Sequence, residues 1–306
     1  MFPGQGSQAV GMGQDLAERW PLAAEVFDRV DRGLGSALSE LCWQGPEEDL
    51  RLTENTQPAL LAHSMAAWSV LSAGGLEVEA VAGHSLGEYS AVVAAGGLGV
   101  ADAARTVRRR GRLMQEAVPV GEGAMAAVIG LTDDEVVDSC REEEKAAGGT
   151  VVAVNFNSPG QVVIAGTAEA VAGAGERCKA RGARRAVPLP VSAPFHSPLM
   201  AQAREGLEPT LRGLDFQPLA VPLYRNVDAV AVRSPEEVCA GLVRQVDAPV
   251  LWSEIIRRML ADGFDTFVEV GAGNVLCGLV RRIDRTAVCF PAGTVETVEN
   301  VLNELQ

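Results

Sequence analysis

The sequence predicts an α/β protein in which a larger mixed domain is interrupted by a compact insert. Three observations carry this. Residues 81–90 read Val-Ala-Gly-His-Ser-Leu-Gly-Glu-Tyr-Ser. They set a Gly-x-Ser-x-Gly turn between a short apolar stretch (78–82) and a small-residue, helix-compatible one (89–95), the strand–turn–helix context of a nucleophile elbow. Between residues 124 and 189 the patterning alternates in the order β-α-β-β-α-β, the split βαβ arrangement of ferredoxin-like units. At 306 residues, with 47% hydrophobic content and 33 glycines, the chain can bury a sizeable core.

Taken in order, residues 13–43 carry helical periodicity with a break at Trp20-Pro21. Thr56-Gln57-Pro58 precedes an apolar helix reaching about Leu71. After the elbow, residues 101–117 form an amphipathic helix. Ala124–Gly130 reads as a strand and Asp133–Lys145 as a helix. Val151–Phe156 and Gln161–Ala165 form a hairpin around Ser158-Pro159-Gly160. A helix over 168–181 and a strand over 184–189 close the insert, with Pro188 and Pro190 bracketing the return. Helices follow near 198–212, 235–246 and 252–262. Thr266–Val270 is a strand, and Gly271-Ala272-Gly273 opens a final helix.

Composition narrows the function. The formal net charge is −14, so the surface as a whole repels nucleic acid and anionic membranes. No apolar run approaches the roughly 20 residues that span a bilayer, and no signal peptide is visible. Six scattered cysteines (Cys42, Cys140, Cys178, Cys239, Cys277, Cys289) show no metal spacing; reduced thiols in a cytoplasmic protein, with no metal site, are the expectation.

A serine nucleophile needs a base. Of three histidines, His84 adjoins Ser85 on a tight turn, where neighbours point apart, and His63 lies in an apolar helix. His196 remains, in a loop fixed by Pro194 and Pro198, with no acidic third member announcing itself; a backbone carbonyl can orient the ring instead. The Leu86 amide, at a helix N-terminus, is placed to hold an oxyanion. In the helix over 101–117, Arg105, Arg108, Arg109 and Arg112 share one face, whereas Arg110 falls among Ala103, Val107 and Met114. A buried guanidinium must be paired. A structural glutamate or a substrate carboxylate held bidentately would serve. Gly4-Gln5-Gly6-Ser7-Gln8-Ala9 fits the dinucleotide pattern G-x-G-x-x-A, but Pro3 and the lack of an acidic residue about 20 positions on argue against it. A flexible loop carrying Gln5 to the serine is the better use of these glycines.

The chain resembles the malonyl-CoA:acyl-carrier-protein transacylases that load bacterial type II fatty-acid synthesis, relatives of polyketide synthase acyltransferase domains. The resemblance runs almost end to end, through Phe2-Pro3-Gly4-Gln5-Gly6-Ser7-Gln8, Thr56-Gln57-Pro58-Ala59, the elbow, Arg110-Gly111-Arg112-Leu113-Met114-Gln115, residues 155–166, Phe195-His196-Ser197-Pro198-Leu199-Met200, Leu242-Val243-Arg244-Gln245 and Glu269-Val270-Gly271. It implies an α/β-hydrolase-like large domain (1–122 and 191–306) with a ferredoxin-like insert (123–190). It implies Ser85 as nucleophile, His196 as base, the Leu86 amide and Gln5 as oxyanion hole, and Arg110 on the malonyl carboxylate. By the same resemblance the Gln245 carbonyl orients His196 and Asn155 lines the cleft, while Leu86 and Phe195 accord with malonyl selection.

The expected activity is ping-pong transfer of malonyl from malonyl-CoA to the phosphopantetheine thiol of acyl carrier protein, by a monomer without a cofactor. The alternatives are a trans-acting polyketide acyltransferase and a serine esterase or thioesterase; a nucleotide-binding or idle subunit is disfavoured. Arg177, Lys179, Arg181, Arg184 and Arg185 form a basic cluster for the acidic carrier protein. Members of the family carry a short apolar strand ahead of Phe2, where this sequence has only Met1, so an exposed sheet edge is expected there.

Overall fold

Three sheets and the helices around them build the α/β fold. The computed structural model describes residues 1–191 and 193–305; Ser192 and Gln306, inside the expected second segment of the large domain, lie outside the described residues. The N-terminal third is helical: α1 (Gln14–Arg19), α2 (Pro21–Leu34), α3 (Leu38–Gln44), α4 (Glu47–Leu50) and α5 (Thr53–Ala73). Then come β1 (Val81–Ala82), α6 (Gly87–Ala94) and α7 (Val100–Glu116). Residues 123–188 supply β2 (Gly123–Ile129), α8 (Asp133–Ala147), β3 (Val151–Ser158), β4 (Gln161–Thr167), α9 (Ala168–Ala180) and β5 (Arg185–Pro188). The chain returns through α10 (Ala201–Arg212), β6 (Leu223–Tyr224), β7 (Ala231–Val232), α11 (Pro235–Gln245), α12 (Trp252–Ala261), β8 (Thr266–Val270), α13 (Val275–Ile283), β9 (Val288–Ala292) and α14 (Val295–Glu304).

Outside residues 123–188 the strand pairing is mainly parallel: β1 pairs parallel with β6, and β8 parallel with β9, while β7 joins β6 antiparallel. Met1 and Phe2 join these two sheets. The Phe2 amide donates to Ala82 O and His84 N donates to Phe2 O, both at 3.0 Å, while Val270 N donates to Met1 O at 2.8 Å. The terminal ammonium donates to Val268 O at 2.6 Å. Met1 and Phe2 line a groove of about 340 Å³ together with residues 76–82 and 266–268. Phe2, which lines this groove, is buried. Helix α5 is apolar on nearly every face and is accordingly buried, packed between α2 and α7.

Residues 123–188 form a four-stranded antiparallel sheet of order β3-β4-β2-β5. Its own core comprises Val128, Val136, Val151, Val162, Ile164, Val171 and Cys178 under α8 and α9. Thr132 and Glu135 close a capping box that starts α8 where the sequence placed it. The unit is also bonded to the rest of the chain through β3: Phe156 N donates to Val250 O at 3.0 Å and Val250 N to Val154 O at 2.8 Å.

Three expectations are corrected. Helix α5 begins at Thr53, with Pro58 inside it rather than ahead of it. The helix after Gly273 is not the last, because β9 and α14 follow and β9 completes the pair with β8. Cys277 and Cys289 are not free thiols but a disulfide, the turn after α13 bringing residues 12 apart to a Cα separation of 5.3 Å. The other four cysteines are unbridged.

Candidate active site

The elbow is tight because two glycines let backbone touch backbone. A Cβ on Gly83 would fall inside the Gly87 backbone, and one on Gly87 would strike Phe2 O. Ser85 is thereby forced into the left-handed region at φ 52, a conformation costing on the order of 1–3 kcal/mol unless its surroundings enforce it. Asn226 enforces it. Its Oδ1 accepts from Ser85 N and its Nδ2 donates to Gly83 O, both at 2.7 Å. Leu86 caps α6; the amides of Gly87, Glu88 and Tyr89 are bonded to the carbonyls of His84, Ser85 and Leu86.

His196 meets Ser85, with Nε2 2.7 Å from Oγ. Nδ1 lies 2.8 Å from Gln245 O. A carbonyl only accepts, so Nδ1 carries the proton and Nε2 is the basic nitrogen facing the serine. Burial, reinforced by the Arg110 charge, pushes the imidazole down to about 3, so it is neutral and available as a base. The other histidines are occupied elsewhere: His63 Nε2 is held by Gly293 O at 2.7 Å, and His84 Nε2 by Asn157 Oδ1 at 2.8 Å.

Arg110 is 1% exposed, on the face of α7 opposite exposed Arg105, Arg109 and Arg112. Gly111 lets α7 lie against Thr53 of α5, which brings Arg110 beside Gln57. Its Nη1 donates to Gln57 Oε1 at 2.9 Å, and its Nη2 donates to Gln245 Oε1 at 2.9 Å and Ser85 Oγ at 3.2 Å. The guanidinium sits 5.6 Å from the Tyr89 ring centroid. Its Nε is buried with no partner among the described residues. Among the described residues its hydrogen-bond acceptors are all neutral, and no glutamate is hydrogen-bonded to it.

These groups open on one cavity of about 550 Å³, lined by Gln5, His84, Ser85, Leu86, Arg110, Asn155 and His196 among others. All seven site residues expected from the sequence therefore converge, with Gln245 immediately behind the wall. Met114, Met125, Leu189, Val191 and Phe195 make the apolar part. No cluster of metal-ligating side chains occurs among the described residues. Asn226, Gln57 and Glu88 were missed. Gln57 and Glu88 stand inside the quoted motifs, but only the fold shows what they touch; Asn226 carried no signal at all.

Residues 1–295 match the model of the acyl transferase domain family. The chain belongs to that family. The malonyl CoA-acyl carrier protein transacylase of Bacillus subtilis strain 168 is 44% identical over 306 residues, all of this chain and 96% of that protein. That of Escherichia coli K12 is 50% identical over 284 residues, 92% of this acyltransferase and 91% of its relative. Among solved structures, a malonyl-transacylase in complex with a type II polyketide acyl-carrier protein superposes with a TM-score of 0.96 at 45% identity, covering 99% of this chain and 97% of that one.

Proposed function

We propose that this acyltransferase moves malonyl from malonyl-CoA to the phosphopantetheine thiol of an acyl carrier protein, through a malonyl ester on Ser85. The observation that carries the reading is the buried Arg110 guanidinium, bonded among the described residues to neutral acceptors alone and 3.2 Å from the nucleophile. A malonyl carboxylate supplies the missing anion. A plain esterase or thioesterase for neutral acyl chains has no use for a cation there.

Ser85 Oγ attacks the thioester carbon while His196 Nε2 takes its proton. The Leu86 amide and Gln5 hold the oxyanion, each such donor being worth about 10²–10³ in rate. The C–S bond breaks and the CoA sulfur leaves with the proton from His196. In the second half, His196 deprotonates the carrier thiol, whose sulfur attacks the ester and expels Ser85 Oγ. The Gln245 carbonyl keeps the imidazole in the required tautomer, and Asn155 lines the channel.

In this reading the large unit (1–122 and 191–306) is α/β-hydrolase-like and residues 123–190 are a ferredoxin-like insert; the strand order β3-β4-β2-β5 supports the latter. The enzyme acts as a cytoplasmic monomer without a cofactor, feeding fatty-acid synthesis. A polyketide carrier is the second acceptor to consider, since the similar malonyl-transacylase noted above is bound to one. Mass spectrometry of the intact protein after mixing with malonyl-CoA tests the reading. One added malonyl group on Ser85 is expected, with none in Ser85→Ala; labelling of Ser85→Ala at the wild-type rate overturns it.

A further inference from the structure

We propose that Glu88 is a positioning residue of this centre, acting through Gln245 and Asn226 to hold the nucleophile, the base and the carboxylate-binding arginine in one arrangement. The inference rests on the site reading above and extends it to a residue that touches no substrate.

Glu88 lies one turn after Ser85 in α6 and is 1% exposed. An acid so deeply buried needs partners. Its Oε2 accepts from Gln245 Nε2 at 2.9 Å and from Asn226 N at 3.1 Å. Those two residues hold most of the site. Gln245 donates to Ser85 O at 2.8 Å, accepts from Arg110 at 2.9 Å and offers its backbone carbonyl to His196 at 2.8 Å. Asn226 clamps both sides of the strained serine peptide.

The chemistry of a primary amide makes Glu88 decisive. The Gln245 side chain fits its slot in either of two senses, differing by exchange of oxygen and nitrogen. Arg110 only donates, so it requires the oxygen on its side. Ser85 O and the bound Glu88 oxygen accept, so they require the NH2 on theirs. Without the Glu88 oxygen, the NH2 keeps one good acceptor, and Asn226 N loses its own. Gln245 then loosens, and its backbone carbonyl, the His196 partner, loosens with it. Burial also raises the Glu88 carboxyl, to about 7; when it is protonated the proton belongs on Oε1, so that Oε2 still accepts from both donors.

The test uses Glu88→Met, which keeps volume but has no strong acceptor, and Glu88→Gln, which keeps an acceptor oxygen. Activity is normalised to active sites counted by the malonyl burst. Glu88→Met should lose about 10- to 100-fold in kcat per counted site, the scale of a small misplacement of reacting groups. KM for malonyl-CoA should move less than about threefold. Glu88→Gln should recover most of the loss, and Glu88→Met combined with Gln245→Met should be no slower than Gln245→Met alone. Wild-type kcat per site in Glu88→Met, or a loss explained wholly by fewer counted sites, overturns the inference. If Glu88→Met does not fold, Glu88→Asp, with the carboxyl drawn back by one methylene, takes its place and must also lose kcat per site. Ser85→Ala runs alongside: labelling there would sink the site reading itself, whereas an unaffected Glu88 variant sinks only the positioning role.

Discussion

Ser85 and His196 meet at 2.7 Å with both backbones in the left-handed region, at φ 52 and φ 63. Neither is a glycine, and each conformation is unfavourable by itself. The pair is therefore held by its neighbours: Asn226 on the serine side, the proline-flanked loop and the Gln245 carbonyl on the histidine side. Reactive geometry here is a property of the polar layer behind the cavity.

Arg110→Ala should separate substrates by charge. Removing the guanidinium leaves a malonyl carboxylate buried without a partner, a loss on the order of 2–5 kcal/mol. Acetyl-CoA brings no carboxylate. The malonyl-to-acetyl ratio of kcat/KM should fall by about two orders of magnitude or more, at about 1.4 kcal/mol per tenfold. An equal fall for both, with a lowered Tm, would make Arg110 a structural residue.

The basic cluster proposed for carrier docking holds fewer unpaired charges than the sequence suggested. Arg177, Lys179 and Arg181 are paired with Glu143, Glu176 and Glu142. Arg184 and Arg185, exposed beside the edge strand β5, make no ion pair among the described residues. Reversing both charges should raise KM for the acidic carrier and flatten its salt dependence, with malonyl-CoA loading unchanged. An unaltered carrier KM places docking elsewhere.

Stability should respond to pH through Glu88 with a definite sign. Burial raises its carboxyl from 4.5 to about 7, with Gln245, Asn226, Arg225 and Arg110 pulling the other way. The folded state thus binds the extra proton between those values, and the stability contributed is full below 4.5 and lost as pH rises through about 7. Buried His196, lowered to about 3, has the opposite slope, but it is common to wild type and Glu88→Gln and cancels in their difference. The Tm of Glu88→Gln relative to wild type should climb across this window. A constant difference would refute the assignment.

Gly87→Ala should be worse than helix propensity alone suggests, since alanine is normally the better helix residue. The added Cβ would collide with Phe2 O, which is fixed by its bond from His84 N. A loss of about 1–3 kcal/mol in chemical denaturation is expected, together with reduced malonyl labelling of Ser85. A Gly87→Ala protein as stable as wild type would mean that the elbow relaxes without penalty.

The sequence disclosed the front of the site better than its back. Ser85 was legible because the turn needs glycines at fixed offsets, His196 because two alternatives could be eliminated, and Arg110 because helical periodicity turned it away from its neighbours. Between residues 123 and 188, strands of four to eight residues bounded by turn signals were legible, and β2 to β5 fell within a residue or two of expectation. The two-residue strands β1, β6 and β7 are too short to show a period. Asn226 and Glu88 are 138 positions apart and meet only through tertiary folding. The bond between Cys277 and Cys289 was hidden for the same reason, since it depends on how β9 returns past α13.

The stitching of β3 to Val250, with His84 bonded across to Asn157 and Arg282 to Gln161, ties residues 123–188 to the rest of the chain at several points. A hinge at either end of residues 123–188 would have to break these links in concert, at about 0.5–1.5 kcal/mol each. The acyl pocket is therefore a mould cast during folding, not a jaw that closes on its load. Discrimination among acyl groups then depends on how rigidly the mould keeps its shape, so that warming or loosening the packing around it should blur substrate choice well before it stops turnover.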